Sequence, residues 1–166
     1  MRKISTCLWF DRQAQEAAEF YTSLIPNSHI DHIERAPRDY PDGREGDVLT
    51  VDFTLDGTTI VGLNGGPAFH FDEAISLMIE CDDQAEVDRY WDALTRDGGE
   101  PSQCGWLKDR YGLSWQIVPK RMNELFRSPD REAAGRAFDA MMTMQKIDIA
   151  KIEAAYAGRE PVGARR

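Results

Sequence analysis

The chain has 166 residues, 42% hydrophobic and 30% charged, which fits one compact domain or two half-size modules and excludes a disordered or fibrous protein. A formal net charge of -9 argues against nucleic acid or an anionic membrane as the main partner. No apolar run reaches the roughly 20 residues a bilayer span needs, and the stretch after Arg2 and Lys3 is broken by Ser5, Thr6 and Asp11, unlike a signal peptide. The three cysteines, Cys7, Cys81 and Cys104, are odd in number and form no CxxC pair, so reduced thiols and a cytoplasmic location are expected.

Residues 4–10 read as a strand, after which Asp11 is expected to cap a helix, its carboxylate accepting from free N–H groups of the first turn. Ala14, Ala17, Ala18, Tyr21 and Leu24 share one helical face, and Pro26, Asn27 and Ser28 stop it. Residues 28–35 read as a strand, 37–46 as a polar loop and 48–55 as a half-buried strand with alternating Leu49, Val51, Phe53 and Leu55. Asp56-Gly57 predicts a hairpin turn into a strand at 58–63, closed by Asn64-Gly65-Gly66-Pro67.

The order then begins again: a strand at 75–81, a helix opened by Asp83 with Glu86 as a capping box, and an apolar face of Val87, Tyr90, Trp91 and Leu94. Asp97-Gly98-Gly99 ends it, Glu100-Pro101 is a break, and strands at 105–108 and 113–118 flank a turn around Asp109–Gly112 before Pro119. The offset of about 70 residues is too long for a solenoid repeat and suggests two modules. In the tail, Ser128-Pro129-Asp130 opens a helix carrying Ala134, Phe138, Met141 and Met142, and a second helix starts near Asp148 and ends at Gly158. The expected division is 1–119, in modules 1–68 and 69–119, then a helical extension 120–158 and a flexible tail 159–166.

Several stretches together resemble a known family. They are Leu8-Trp9-Phe10-Asp11, Phe20-Tyr21, Leu63-Asn64-Gly65-Gly66-Pro67, Glu73-Ala74-Ile75-Ser76-Leu77, Glu86-Val87-Asp88, Cys104-Gly105-Trp106-Leu107-Lys108-Asp109, Ser114-Trp115-Gln116 and Lys146-Ile147-Asp148-Ile149. In order and spacing they resemble the vicinal-oxygen-chelate superfamily (glyoxalases, bleomycin-resistance proteins and dioxygenases), and within it the PhnB-like group carrying the 3-demethylubiquinone 3-methyltransferase label. The resemblance implies an α+β fold of two βαβββ modules forming a sheet-lined cleft, here with a C-terminal helical extension, and a homodimer. In metal-using members four strand residues hold a divalent ion that acts as a Lewis acid. Those positions fall here on Ile4, Gly62, Ile75 or Ser76, and Gln116; isoleucine and glycine side chains offer no donor, so no metal and no other cofactor is expected.

What remains is a cleft expected along Ile4, Thr6, Leu8, Ile60, Gly62, Asn64, Ile75, Leu77, Ser114 and Gln116, suited to a small organic molecule. Cys104, near Lys108 and Arg110, is the candidate reactive thiol, against a packing role beside a tight turn. Cys7 and Cys81 are expected to pack inside. His29 and His32, three apart on a strand, are expected on opposite faces, a poor ligand geometry. No GxGxxG-type turn follows the first strand, so the methyltransferase label finds no cofactor cradle. Three readings stay open: a metal-independent pocket protein, a metal-dependent enzyme with replacement ligands among His70, Glu73 and Gln116, and an interaction module with a filled core acting through its helical tail.

Overall fold

The computed structural model describes residues 3–159, and the chain falls into two compact units, 1–71 and 72–166. The expected tail at 159–166 lies almost wholly outside the described residues. No described helix is long and apolar enough to cross a membrane.

The first unit runs β1 (Thr6–Phe10), α1 (Ala14–Leu24), β2 (His29–Arg35), β3 (Val48–Leu55) and β4 (Thr58–Asn64). Its sheet has the order β1-β4-β3-β2, with β1 parallel to β4 and the other pairs antiparallel. Asp56 and Gly57, both at positive φ, make the tight β3–β4 turn that the Asp-Gly pair predicted. Leu8, Phe10, Val51, Phe53 and Ile60 share one sheet face by register and are at most 3% exposed. Ala14, Ala17, Ala18 and Tyr21 of α1 are fully buried against that face. Small alanines let the helix approach closely, and Tyr21 stacks toward Phe53 at 6.4 Å between ring centroids.

The second unit repeats this path: β5 (Leu77–Cys81), α2 (Gln84–Leu94), β6 (Glu100–Pro101), β7 (Trp106–Lys108) and β8 (Ser114–Pro119). Its order, β5-β8-β7-β6, again sets first and last strands parallel. The chain is thus an α+β protein of two βαβββ modules. Asp83 caps α2 by accepting from the Glu86 N–H at 2.9 Å. Glu86 answers the box one residue earlier than expected, accepting from the Asp82 N–H at 2.8 Å. Leu107, Trp115 and Ile117 lie on one face, at most 1% exposed, opposite the buried Val87, Tyr90, Trp91 and Leu94 of α2. The Asp97-Gly98 stop is a short 3-10 turn, and Glu100-Pro101, read as a break, pairs with β7 instead.

Three helices follow: α3 (Lys120–Phe126), α4 (Arg131–Met141) and α5 (Ile149–Tyr156). The first was not legible, because Pro119 ends the strand and is also the residue before its first turn. Asp130, rather than Ser128, caps α4 through the Ala133 N–H, and Asp148 caps α5 through the Lys151 N–H. Met122, Leu125, Ala137, Met141, Ile147 and Ile152 close around Val118, so the extension has its own core attached to the end of β8.

Candidate functional site

In the first unit, the residues expected to wall a cleft are packed beneath α1. Leu8, Gly62 and Asn64 are buried and Thr6 half-buried on the helix-covered face. A Cβ built on Gly62 would stand 3.2 Å from the Ala14 Cβ, leaving no room for a ligand. Asn64 is also fully engaged: its Oδ1 accepts from the Ala14 N–H and its Nδ2 donates to the Val48 carbonyl, both at 2.9 Å. It thereby takes the helix-capping role expected of Asp11, which is exposed; Gln13 at the cap position makes no side-chain capping bond. Ile4 precedes β1 and is 88% exposed.

The opposite face of this sheet carries Cys7, Trp9, Val61 and Leu63 near β1, then Asp52 and Thr54. Cys7 is exposed there, contrary to the expected packing role. A bulge between Ile30 and His32 sets His29 opposite Thr54 and His32 opposite Asp52, so both histidines stand on this same face. Strict alternation had separated them; the extra residue shifts the phase by one. Each pairs locally, His29 with Asp31 at 3.1 Å and His32 with Glu34 at 3.0 Å.

The second unit differs. Parallel register places Leu77 beside Trp115, on the α2-covered face, so Leu77 is not brought together with Ser114 and Gln116. Ile75 lies ahead of β5 and is 57% exposed. Ser114 and Gln116 point to the face away from α2. Two cross-strand rows form there: Glu100–Lys108–Ser114, and Trp106–Gln116–Met78. Gln116 donates to the Ser76 hydroxyl at 2.9 Å. Lys108 bonds Glu73 at 2.6 Å. That bond holds the Glu73 carboxyl below its ordinary range and lifts the Lys108 ammonium above its own.

A pocket of about 490 Å³ opens on this face, lined by Glu73, Glu100, Gln103, Cys104, Trp106, Lys108 and Ser114 among others. Ser114 is 1% exposed, and its hydroxyl is the one buried side-chain polar atom among the described residues that has no hydrogen-bond partner. A hydroxyl left so costs about 1–3 kcal/mol relative to one that is bonded. Asp109, by contrast, is buried and satisfied: it accepts from the N–H groups of Tyr111 and Leu113 and from the Trp115 indole at 2.8 Å, fixing the turn between β7 and β8.

Cys104 lines the pocket but also packs on the C-terminal cluster, its Sγ 3.7 Å from the Met142 Sδ. Its backbone is at positive φ and its N–H donates to the Met144 carbonyl. Gly105 follows at positive φ; a Cβ there would meet the Ile117 carbonyl at 2.7 Å, so only glycine fits this crossing. Cys81 is fully buried in β5, and burial pushes its thiol up to about 12. Trp106 and Glu100 were not picked out, and Glu73 was named only as a replacement metal ligand; Trp106 joins through the β7–β8 pairing, Glu100 through β6, which Pro101 concealed, and Glu73 through its bond to Lys108.

The residues present do not fit the divalent ion of metal-using relatives. Ile4 and Gly62 bring no donor atom, which leaves at most the Ser76 hydroxyl and the Gln116 amide oxygen, too few ligands to hold it. No group of three or more His, Cys, Asp or Glu side chains among the described residues is arranged to hold a metal.

Two βαβββ modules, each with its first and last strands parallel, define the vicinal-oxygen-chelate class. Residues 2–118 match the family described as 3-demethylubiquinone-9 3-methyltransferase. The structure is similar to that of the PhnB protein of Bacillus cereus, with 35% identity and a TM-score of 0.64 over 71% of this chain and 99% of that one. It is also similar in fold to protein PA1353 of Pseudomonas aeruginosa, at 19% identity and a TM-score of 0.57 over 72% and 98% of the two chains. No curated protein matches. The chain belongs to the 3-demethylubiquinone-9 3-methyltransferase family, the PhnB-like group of the superfamily.

Proposed function

We propose that this protein binds a small organic molecule on the face of its second module away from α2, through side-chain contacts and without a divalent ion. The observation that carries the reading is the Ser114 hydroxyl, buried and unpartnered beside an open pocket. A native structure keeps an orphaned polar atom when something else satisfies it. The pocket volume of about 490 Å³ suits a small ligand, since such sites run from roughly 300 to 1,000 Å³. Trp106 supplies apolar surface; Ser102, Gln103 and Lys108 supply polar atoms.

The methyl-transfer reaction in the family's name finds little support in this geometry. A typical methyltransferase using an adenosyl methyl donor has a doubly wound sheet with a glycine-rich turn after its first strand. Here each sheet is four-stranded and mixed, and β1 leads through Asp11-Arg12-Gln13 into α1. Binding is therefore the function assigned, in a cytosolic homodimer.

Native mass spectrometry of freshly purified protein, prepared without chelator, tests this reading. The expected result is a dimer carrying an organic adduct that Trp106→Ala releases. Protein free of adduct is then screened by thermal shift against small organic molecules, some of which are expected to stabilise it. One divalent ion per subunit, or a screen in which no compound raises the melting temperature, overturns the reading.

A further inference from the structure

Resting on that reading, we propose that the ligand is an organic cation: a protonated amine joined to a flat apolar body. The pocket's charges favour one sign. Glu73 and Glu100 line it with a single cation, Lys108. Asp72 adds a third carboxylate close enough to act on the Lys108 ammonium. Lys108 is already held by Glu73 at 2.6 Å, so that pair presents little net charge. Glu100 faces Lys108 across the strands and acts on its ammonium from a distance, but its exposed side chain makes no hydrogen bond or ion pair among the described residues, so its carboxylate is open to a ligand.

The neighbouring row supplies the rest of the recognition. Trp106 is half-buried with its side chain lining the pocket, and an indole face attracts an ammonium by its quadrupole while covering an apolar ring. The Ser114 oxygen has free lone pairs just beneath the pocket wall, which an ammonium N–H satisfies once a small shift of that wall uncovers it. A carboxylate ligand would meet Glu73, Glu100 and Asp72 as like charges. The net charge of -9 draws a cation toward this surface from a distance.

The test uses three probes of similar shape: phenethylammonium, 2-phenylethanol and 3-phenylpropionate. The readout is the Trp106 indole N–H resonance of the full chain, assigned by its loss in Trp106→Phe. Phenethylammonium is expected to move this resonance at the lowest concentration. Glu100→Gln and added salt are each expected to weaken it about threefold, the scale of an exposed ion pair. Equal or tighter binding of 3-phenylpropionate or 2-phenylethanol overturns the charge assignment while the pocket stands. If none of the three moves Trp106, the pocket reading fails with it.

Discussion

The two modules share one path and one strand order, yet their last strands use a buried polar side chain in opposite ways. Asn64 in the first module spends both ends of its amide on the fold, capping α1 and holding the Val48 carbonyl. Ser114 in the second lies on the face away from the helix and spends its hydroxyl on nothing within the protein. The first module's polar atom is part of its architecture. The second's is a reserve, and the pocket lies beside it. Duplicated topology therefore does not imply duplicated function; what differs is which sheet face carries the polar atom.

Substitutions break or sharpen this contrast. Asn64→Ala is expected to destabilise most, by about 3 kcal/mol, because it orphans the Ala14 N–H and the Val48 carbonyl together. Chemical denaturation measures this. Gly62→Val comes next, at about 2 kcal/mol, since the added methyls enter a space already closed at 3.2 Å by Ala14. In the second module the same kind of change reverses sign. Ser114→Ala removes an unsatisfied hydroxyl and is expected to raise stability by about 1 kcal/mol while weakening ligand binding. A loss of stability there would mean that the hydroxyl has a partner within the fold.

Smaller effects concern titration. Cys81, pushed up to about 12 by burial, stays a thiol at neutral pH, and an alkylating reagent at mild alkaline pH is expected to label Cys7 and Cys104 first. Its folded value is raised, so its contribution to stability is intact below pH 9 and is lost as pH rises toward about 12. Glu73 shows the reverse sign. Its carboxyl is held low by Lys108, so the ion pair persists as pH falls through the ordinary glutamate range and is lost only below it. An NMR titration is expected to show this low midpoint, and Lys108→Met to raise it toward the ordinary glutamate range, with the backbone hydrogen bond at Glu73 still holding it down in part.

Periodicity carried most of the fold. The alternation of residues 48–55 and the apolar spacing of α1 and α2 each produced the observed element, because burial of one face dictates both. The faces were harder. The wall drawn through Leu8, Gly62 and Asn64 assumed that former ligand positions look into open space, and a helix covers them instead. Alternation gives two faces but does not say which one the helix takes. The bulge at Asp31 and the two-residue β6 were invisible for a related reason: each departs from a strict period by a single residue or by a proline. Ser114 and Gln116 were legible because β8 is regular, whereas Glu100 and Trp106 join them only through pairing across strands.

The most direct test is amide chemical-shift mapping of the labelled protein against a library of small organic fragments. The account predicts that binding fragments perturb residues 100–108 and 114–116 and leave Leu8, Gly62 and Asn64 unmoved. Fragments that shift the first module's helix-covered face, or none that reach Ser114, would contradict it.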